Sequence, residues 1–443
     1  MKLLMLAYYF PPDSSSGAFR PLYFAEHFKS QGDEVTVISA RQADFLPEQN
    51  LDSSLIPRGI NILRTRVFRP REALIGLKQR LAKGNAKTET VEASPAPDTA
   101  SSTSPGILTR IKDYITTLLA SPDPQMGWLI PAVICGMKQI KIQKPDVIYA
   151  TGGPWTGLLA GALLKRLCKI PLVLDFRDPW TLNPTFSTRP ASLRFLEKKM
   201  EKWVISQADL VVANTPELGS AFLENHDLDP SRVVAVPNGY TEESEEPSGD
   251  PEQLEPIFQL THAGSLYFSR NPRALVEAVY ELACEDELSP ADFRLNFVGG
   301  ISVEDSQLDA LLARPEVREL INITPRLPLA EALAYQRAAQ VQLLIQTGFP
   351  LQVPRKLYDA MPFGRPVLAI TESRGATARI IKETSMGLVV DNETQAIKSA
   401  LKEFMELWRR GELHQFTFQG VDQYHNPALC RKMRRYLAEI VGI

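Results

Sequence analysis

Gly264 and Arg270 stand six residues apart in the run Ala263-Gly264-Ser265-Leu266-Tyr267-Phe268-Ser269-Arg270-Asn271. A glycine turn followed by a cation near a helix start suits a diphosphate. Backbone amides cradle the anion and the guanidinium neutralises it. A second glycine turn, Gly299-Gly300, follows the next apolar run. Farther on, Pro354-Arg355-Lys356-Leu357-Tyr358-Asp359 opens a helix, with Pro354 suited to its first turn. Lys356 can reach phosphate from that turn. Asp359, three residues on, shares its face and can accept from sugar hydroxyls. The bland alternative for Lys356 and Asp359 is a surface ion pair.

The first half of the chain holds comparable stretches. Pro11-Pro12-Asp13-Ser14-Ser15-Ser16-Gly17-Ala18-Phe19-Arg20 follows the opening apolar run, and Gly17 with the serines permits a ligand-facing loop. It is not GxGxxG, so the dinucleotide fingerprint is absent. Gly152-Gly153, after Thr151, allows close backbone approach at a strand–helix junction. Asp175-Phe176-Arg177-Asp178 packs two acids and an Arg into four residues, costly to bury unpaired. They either face a polar ligand or brace the domain as an ion pair. No GxSxG, HExxH or P-loop pattern occurs, and five histidines make a metal cluster an unpromising reading.

The elements that position these residues follow from periodicity. Residues 3–10 read as a buried strand, 18–31 as a helix, 34–39 as a second strand and 61–68 as a third. Strands follow at 146–150, 171–176, 209–213 and 232–236, alternating with helices at 155–168, 192–206 and 216–225. After 257 the alternation resumes, with strands at 257–263, 293–298, 320–323, 341–345, 366–370 and 387–390. Helices lie between them, and two more close the chain at 393–409 and 427–441. Strand–helix alternation predicts parallel sheets, here two doubly wound α/β domains. Ligands then bind beyond the carboxyl ends of the strands, where the glycines and charges above fall.

Two stretches interrupt the pattern. Residues 84–106 are Ala-, Ser-, Thr- and Pro-rich and read as a disordered insertion. Residues 241–256 are acidic, carry three prolines and no base, and read as a linker. The expected division is an N-terminal domain over 1–240, the linker, a C-terminal domain over 257–410, and a helical segment over 411–443 that packs back on the first domain. Residues 58–87 carry nine basic side chains against one acid, Glu72, and precede an amphipathic pattern at 107–119. That combination can dock on an anionic membrane, although a helix packed on its own domain is the preferred reading.

Composition sets the outer bounds. At 443 residues the chain exceeds one ordinary core. Forty-nine Lys and Arg against 52 Asp and Glu give a net charge of -3, no global attraction for nucleic acid. Cys135, Cys168, Cys284 and Cys430 form no CxxC pair, so reduced thiols and a cytoplasmic location are expected. No run offers the roughly 18 uncharged residues of a membrane span.

These motifs resemble those of GT-B-fold glycosyltransferases, most closely family 4, over nearly the whole chain except about 70–120. Residues 11–20 resemble the family's first glycine loop, and Asp209–Thr215 its "ADxVxxxT/S" strand. Val236-Pro237-Asn238-Gly239-Tyr240 resembles "PNGxD", and Gly264–Leu275 resembles "GRLxxxKGxxxL". Lys356–Val367 resembles "KxxEAMAxGxPV", the most specific match. DFRDPW at 175–180 and Trp128 look like a subgroup used in surface polysaccharide assembly.

The resemblance implies two Rossmann-like domains facing across a cleft. It also implies a retaining transfer from a nucleoside-diphosphate sugar to a glycan or lipid-linked acceptor, with no metal or other cofactor. Arg270, Lys356 and Asp178 would form the catalytic set. Gly264, Ser265, Asp359, Asn238, Gly239, Gly299 and Arg326 would hold the donor. Gly17, Arg20, Gly152, Gly153, Asp175 and Arg177 would line the acceptor side. The expected location is the cytoplasm or the inner face of the cytoplasmic membrane, with 58–120 as the contact. Departures are specific: Ser265 replaces the family's Arg, Leu351 the first acid of its E-x7-E pair, Asp359 the second Glu, and Arg177-Asp178 a His-Asp. Another GT-B chemistry, such as a nucleotide-sugar epimerase, and a non-catalytic nucleotide-binding member remain the alternatives.

Overall fold

A computed structural model describes residues 1–41, 51–68, 117–118, 120–241, 257–267 and 269–443. The insertion expected at 84–106, nearly all of the linker at 241–256 and most of the 107–119 helix lie outside the described residues. The chain divides into two compact units. One comprises Met1–Phe176, Thr185–Val211 and Leu437–Ile443, the other Arg177–Pro184 and Val212–Tyr436.

The first sheet contains β1 (Lys2–Leu6), β2 (Glu34–Ala40), β3 (Asn61–Thr65), β4 (Val147–Gly152), β5 (Leu172–Phe176), β6 (Leu210–Ala213) and β7 (Val233–Ala235), in the order β3-β2-β1-β4-β5-β6-β7. β1 is parallel to both neighbours, with Leu3 opposite Val35 and Val147. Covered on both faces, it reads as a continuous apolar run, and Leu3 to Leu6 are all buried. The expected strand to residue 10 ends at Leu6. Tyr8 and Phe10 stay buried in the following loop, because burial demands apolar side chains but not a paired backbone.

Helices α1 (Ser16–Ser30), α2 (Leu129–Gln143), α3 (Thr156–Cys168), α4 (Ala191–Gln207) and α5 (Pro216–Asn225) flank these strands. Helix α2 packs on α3, and α3 on α4. Periodicity did not mark α2. Its buried residues Ala132, Val133 and Gly136 are small, while Ile130, Ile134 and Ile142 are exposed, so its apolar pattern does not trace the buried face. Asp123 accepts from the Thr156 amide at 2.8 Å and its hydroxyl at 2.7 Å, at the start of α3. Thr215 caps α5 through the Leu218 amide at 3.0 Å, with Pro216 at the first helical position.

The second sheet contains β8 (Phe258–Ala263), β9 (Phe293–Val298), β10 (Ile321–Thr324), β11 (Val341–Gln346), β12 (Val367–Thr371) and β13 (Gly387–Val390), in the order β10-β9-β8-β11-β12-β13. Helices α6 (Arg273–Cys284), α7 (Ser306–Leu312), α8 (Pro315–Arg318), α9 (Leu329–Ala338), α10 (Arg355–Ala360), α11 (Ala376–Thr384), α12 (Thr394–Arg409) and α13 (Asn426–Val441) complete the chain. Phe258, Leu260, Phe293, Leu295 and Phe297 share one core with Leu275, Val279, Leu401 and Phe404. In each sheet the strand order reverses beside the first strand of the half, between β1 and β4 and between β8 and β11. In sheets of this kind ligands bind at the strands' carboxyl ends beside the reversal, where Gly264, Ser265, Arg270 and Lys356 fall in the second sheet and Gly17, Gly152 and Gly153 in the first. Among the described residues, no helix is long and apolar enough to cross a membrane.

Candidate active site

At the second sheet's reversal, β8 ends in the turn at Gly264. Its φ of +117° is backbone that favours glycine. A Cβ there would lie 2.4 Å from Lys356 Nζ. Gly299, at φ +123°, ends β9, and its Cβ would fall 2.9 Å from Gly264 Cα. The two turns therefore touch backbone to backbone. Ser265, where the resembled family has Arg, donates its hydroxyl to the Gly299 carbonyl at 2.8 Å and ties the turns together.

Three groups converge on this turn. Lys356, from α10, reaches His262 Nε2 at 3.0 Å, and His262 Nδ1 lies 3.0 Å from the Leu343 carbonyl on β11. Arg270 donates to Tyr267 Oη at 3.2 Å and to Gln346 Oε1 at 3.4 Å, at the end of β11. Its guanidinium also lies 5.0 Å from the Tyr267 ring centre. Ser269 and Thr347 exchange side-chain–backbone hydrogen bonds of 2.8 and 2.5 Å, fastening the Arg270 loop to the end of β11. Burial first, and the charge of Arg270 second, push the Lys356 ammonium down to about 8, against the pull of Asp359. Two cations held this close are costly without an anion and suit a diphosphate.

Asp359 does not pair with Lys356. It accepts from Arg355 Nε at 3.2 Å, one turn back on α10, with its side chain 41% exposed. Arg326 is exposed in the loop after β10. Asn238 and Gly239 belong to the second unit, and the next residue, Tyr240, packs on the core cluster that holds Leu357 and Tyr358 of α10. A Cβ on Gly239 would sit 2.2 Å from the Tyr424 carbonyl, and Tyr240 exchanges backbone hydrogen bonds with Tyr424 and Asn426. Asp178, in the same unit, accepts from Gln352 at 2.5 Å, next to the Leu351 position of the missing acid. The Arg177 carbonyl accepts from Asn214.

At the first sheet's reversal, the loop after β1 and Gly152-Gly153, where β4 ends, lie at neighbouring strand ends. Gly17 is the second residue of α1. Arg64 on β3 donates to the Phe10 and Pro11 carbonyls and to Ser39 Oγ, so this cation of the basic stretch holds the loop. Arg20 and Asp175 meet in the interior. Arg20 Nε and Nη2 donate to the Asp175 carboxylate at 2.9 and 2.8 Å, and Tyr149 Oη and Thr151 Oγ1 add contacts of 2.5 and 3.0 Å. Asp175 is fully buried. For Asp175, of the two readings of the 175–178 run, this is the ion pair bracing the domain, with Arg20 as the cation.

Sequence reasoning overlooked His262 and Gln346. Phe258, Leu260 and His262 share one face of β8, and the first two are core. A histidine continuing an apolar face at a strand's carboxyl end was the available signal.

Residues 20–239 match the family described as Glycosyl transferase 4-like domain, and residues 258–406 match Glycosyl transferases group 1. A D-inositol 3-phosphate glycosyltransferase of Streptomyces bingchenggensis is 25% identical over 211 residues, 44% of this chain and 45% of that protein. The chain thus spans about half of that relative's length. A glycosyltransferase structure from Rickettsia africae aligns over 99% of this chain and 98% of its own, at 15% identity and a TM-score of 0.61. Anabaena HepE, solved with UDP-glucose, aligns over 99% of this chain and 100% of its own, at 14% identity and a TM-score of 0.58. At such identities the likeness is one of fold. With both halves matched and two Rossmann-like α/β domains described, the chain belongs to the family 4-like glycosyltransferases of the GT-B fold.

Proposed function

We propose that the protein transfers a glycosyl group from a nucleoside-diphosphate sugar to a lipid-linked or glycan acceptor, with retention at the anomeric carbon. The observation that carries this reading is the Gly264 turn with Lys356 and Arg270 at the second sheet's reversal. The leaving nucleoside diphosphate gains charge as the glycosidic bond breaks. Fixed cations and amides meet that charge without reorganising, which lowers the barrier. Asp359 lies three residues from Lys356 on α10 and can accept from ribose hydroxyls once its contact with Arg355 is shared. The UDP-glucose bound to Anabaena HepE supports a nucleotide sugar as donor. Polysaccharide assembly is the biosynthetic setting that the 175–180 run supports.

A panel of nucleotide sugars, with nucleoside diphosphate release followed with and without lipid-linked acceptors, tests this reading. Release with one donor and acceptor, unchanged in EDTA, is the expected result. A diphosphate-linked sugar inverted at C2 would instead identify an epimerase, and no donor binding by calorimetry would leave neither. The pH dependence is specific. A bound diphosphate favours charged Lys356, so above pH 8 binding takes up a proton. Donor affinity then falls as pH rises past about 8, by at most about tenfold per pH unit. Calorimetry at pH 8.5 in buffers of different ionisation heat reads that uptake. Constant affinity from pH 7 to 9.5 would take Lys356 out of the site.

The lipid-linked acceptor has support from the surface of the first unit. Helices α2, α3 and α4 expose Ile130, Ile134, Leu167 and Phe195, beside exposed Lys138, Lys141, Lys198, Lys199 and Lys202. The acids of α4, Glu197 and Glu201, are buried. Apolar side chains among exposed cations suit an anionic bilayer. The 58–120 stretch first expected to make this contact lies largely outside the described residues. Flotation with phosphatidylglycerol vesicles should carry the protein, and Lys198, Lys199 and Lys202→Glu together should release it. Equal flotation of the triple variant would remove this surface from membrane contact.

A further inference from the structure

We propose that His262 is a positioning residue that holds the Lys356 ammonium at the Gly264 turn before any donor arrives; the role assigned to Lys356 rests on the donor-site reading above. His262 is fully buried, and its ring meets the Leu343 carbonyl, the Lys356 ammonium and the Gly264 backbone. Nδ1 lies 3.0 Å from the Leu343 carbonyl. A carbonyl oxygen can only accept, so Nδ1 carries the proton. Nε2 then presents its lone pair to Lys356 Nζ at 3.0 Å, and an ammonium can only donate. The neutral Nδ1–H tautomer satisfies both contacts. An imidazolium would aim an N–H at an ammonium. Burial, then the charges of Lys356 and Arg270, keep the ring neutral by holding its pKa well below the ordinary value.

The arrangement fixes a side chain that is otherwise a flexible stem with a rotatable head. One ammonium proton is committed to His262. The other two remain for an anion at the turn. Gly264 supplies the space, since its missing Cβ would lie 2.4 Å from Nζ. The charged and titratable groups facing Lys356 are His262 on β8, Arg270 from the loop after β8, and Asp359 on its own helix. Of these, His262 is within hydrogen-bond reach while adding no charge of its own. It thereby favours the charged lysine without competing for the diphosphate.

Two amide substitutions separate reach from chemistry. In His262→Gln the amide oxygen reaches the place of Nε2 and can accept from Lys356. In His262→Asn the amide sits near the place of Nδ1, keeps Leu343 in range and falls short of Lys356. The first readout needs no nucleotide: acylation of the Lys356 amine across pH, followed by peptide mass spectrometry. The wild-type midpoint should lie near 8. It should fall in His262→Asn and return toward wild type in His262→Gln. The second readout is donor kinetics, where His262→Asn should lose about ten- to a hundredfold in kcat/KM, with His262→Gln recovering most of it. A purely structural role would lower thermal stability in both variants and leave the Lys356 midpoint in place. An unmoved midpoint in folded His262→Asn overturns the proposal. Should that variant not fold, nitrogen NMR of wild-type His262 decides, since a proton on Nε2, or a ring charged at pH 6, overturns it equally. A shifted midpoint in a protein whose wild type binds no nucleotide sugar would sink the donor-site reading and leave the His262–Lys356 contact standing.

Discussion

Lys356→Ala should lower glycosyl transfer at least about a hundredfold, equivalent to the roughly 3 kcal/mol that one preorganised contact to developing charge supplies. Arg270→Ala should do the same. The loss should fall on kcat as well as on donor affinity, because the charge these cations meet grows as the bond to the leaving diphosphate breaks. The fold should survive. Burial lowers the Lys356 pKa, so its charge is an unfavourable one to fold around at neutral pH, and alanine relieves it. What the substitution leaves behind is one imidazole nitrogen without its donor. Diphosphate release under saturating donor, with circular dichroism melting of the same sample, checks both halves. A wild-type rate in either variant would remove that residue from the chemistry.

Asp175→Ala should act in the opposite way, on stability before activity. Asp175 takes two hydrogen bonds from Arg20 and one each from Tyr149 and Thr151, with no exposure to solvent. Burial works to lower the Arg20 pKa, and Asp175 outweighs it, holding that pKa above its ordinary value. Removing the carboxylate takes the ion-pair partner from a buried guanidinium and an acceptor from two hydroxyls. Breaking one side of a buried pair costs about 3–5 kcal/mol. In a protein of this size that is a fall of about three to five degrees in melting temperature. Replacing both partners by apolar residues, Arg20→Met with Asp175→Leu, should recover much of the loss, since desolvating the pair is itself expensive. Thermal melts of the three variants give the answer. An unchanged melting temperature with lost transfer would return Asp175 to the acceptor site.

What the chain discloses before folding depends on sequence separation. The strand–helix alternation is local, and each strand's apolar run needs only its own residues, so β8, β9 and β11 lie within a residue or two of their expected bounds. Gly264, Lys356 and Arg270 are legible for a related reason. Glycine and charge at a strand's carboxyl end conflict with the apolar run before them, and the conflict marks a turn with work to do. Pairings are another matter. Asp175 finds its partner 155 residues away, and Lys356 finds His262 at a separation of 94. Nothing local distinguishes Asp175, which the interior consumes, from Asp178, which is exposed. Helical spacing likewise offered Asp359 two cations, Lys356 three residues before it and Arg355 four before it. The guanidinium took it, because the ammonium turns toward His262. Helix α2 stayed hidden because its exposed isoleucines blur the face that its small residues bury.

The touching turns at Gly264 and Gly299 bear on any effort to retrain the enzyme toward another nucleotide. A side chain introduced at 299 would press on the Gly264 backbone, 2.7 Å away at its nearest atom, and displace the Lys356 cradle with it. Positions 264 and 299 therefore belong to the fixed frame of a mutagenesis library. Diversity belongs at Arg326, which is exposed in the loop after β10.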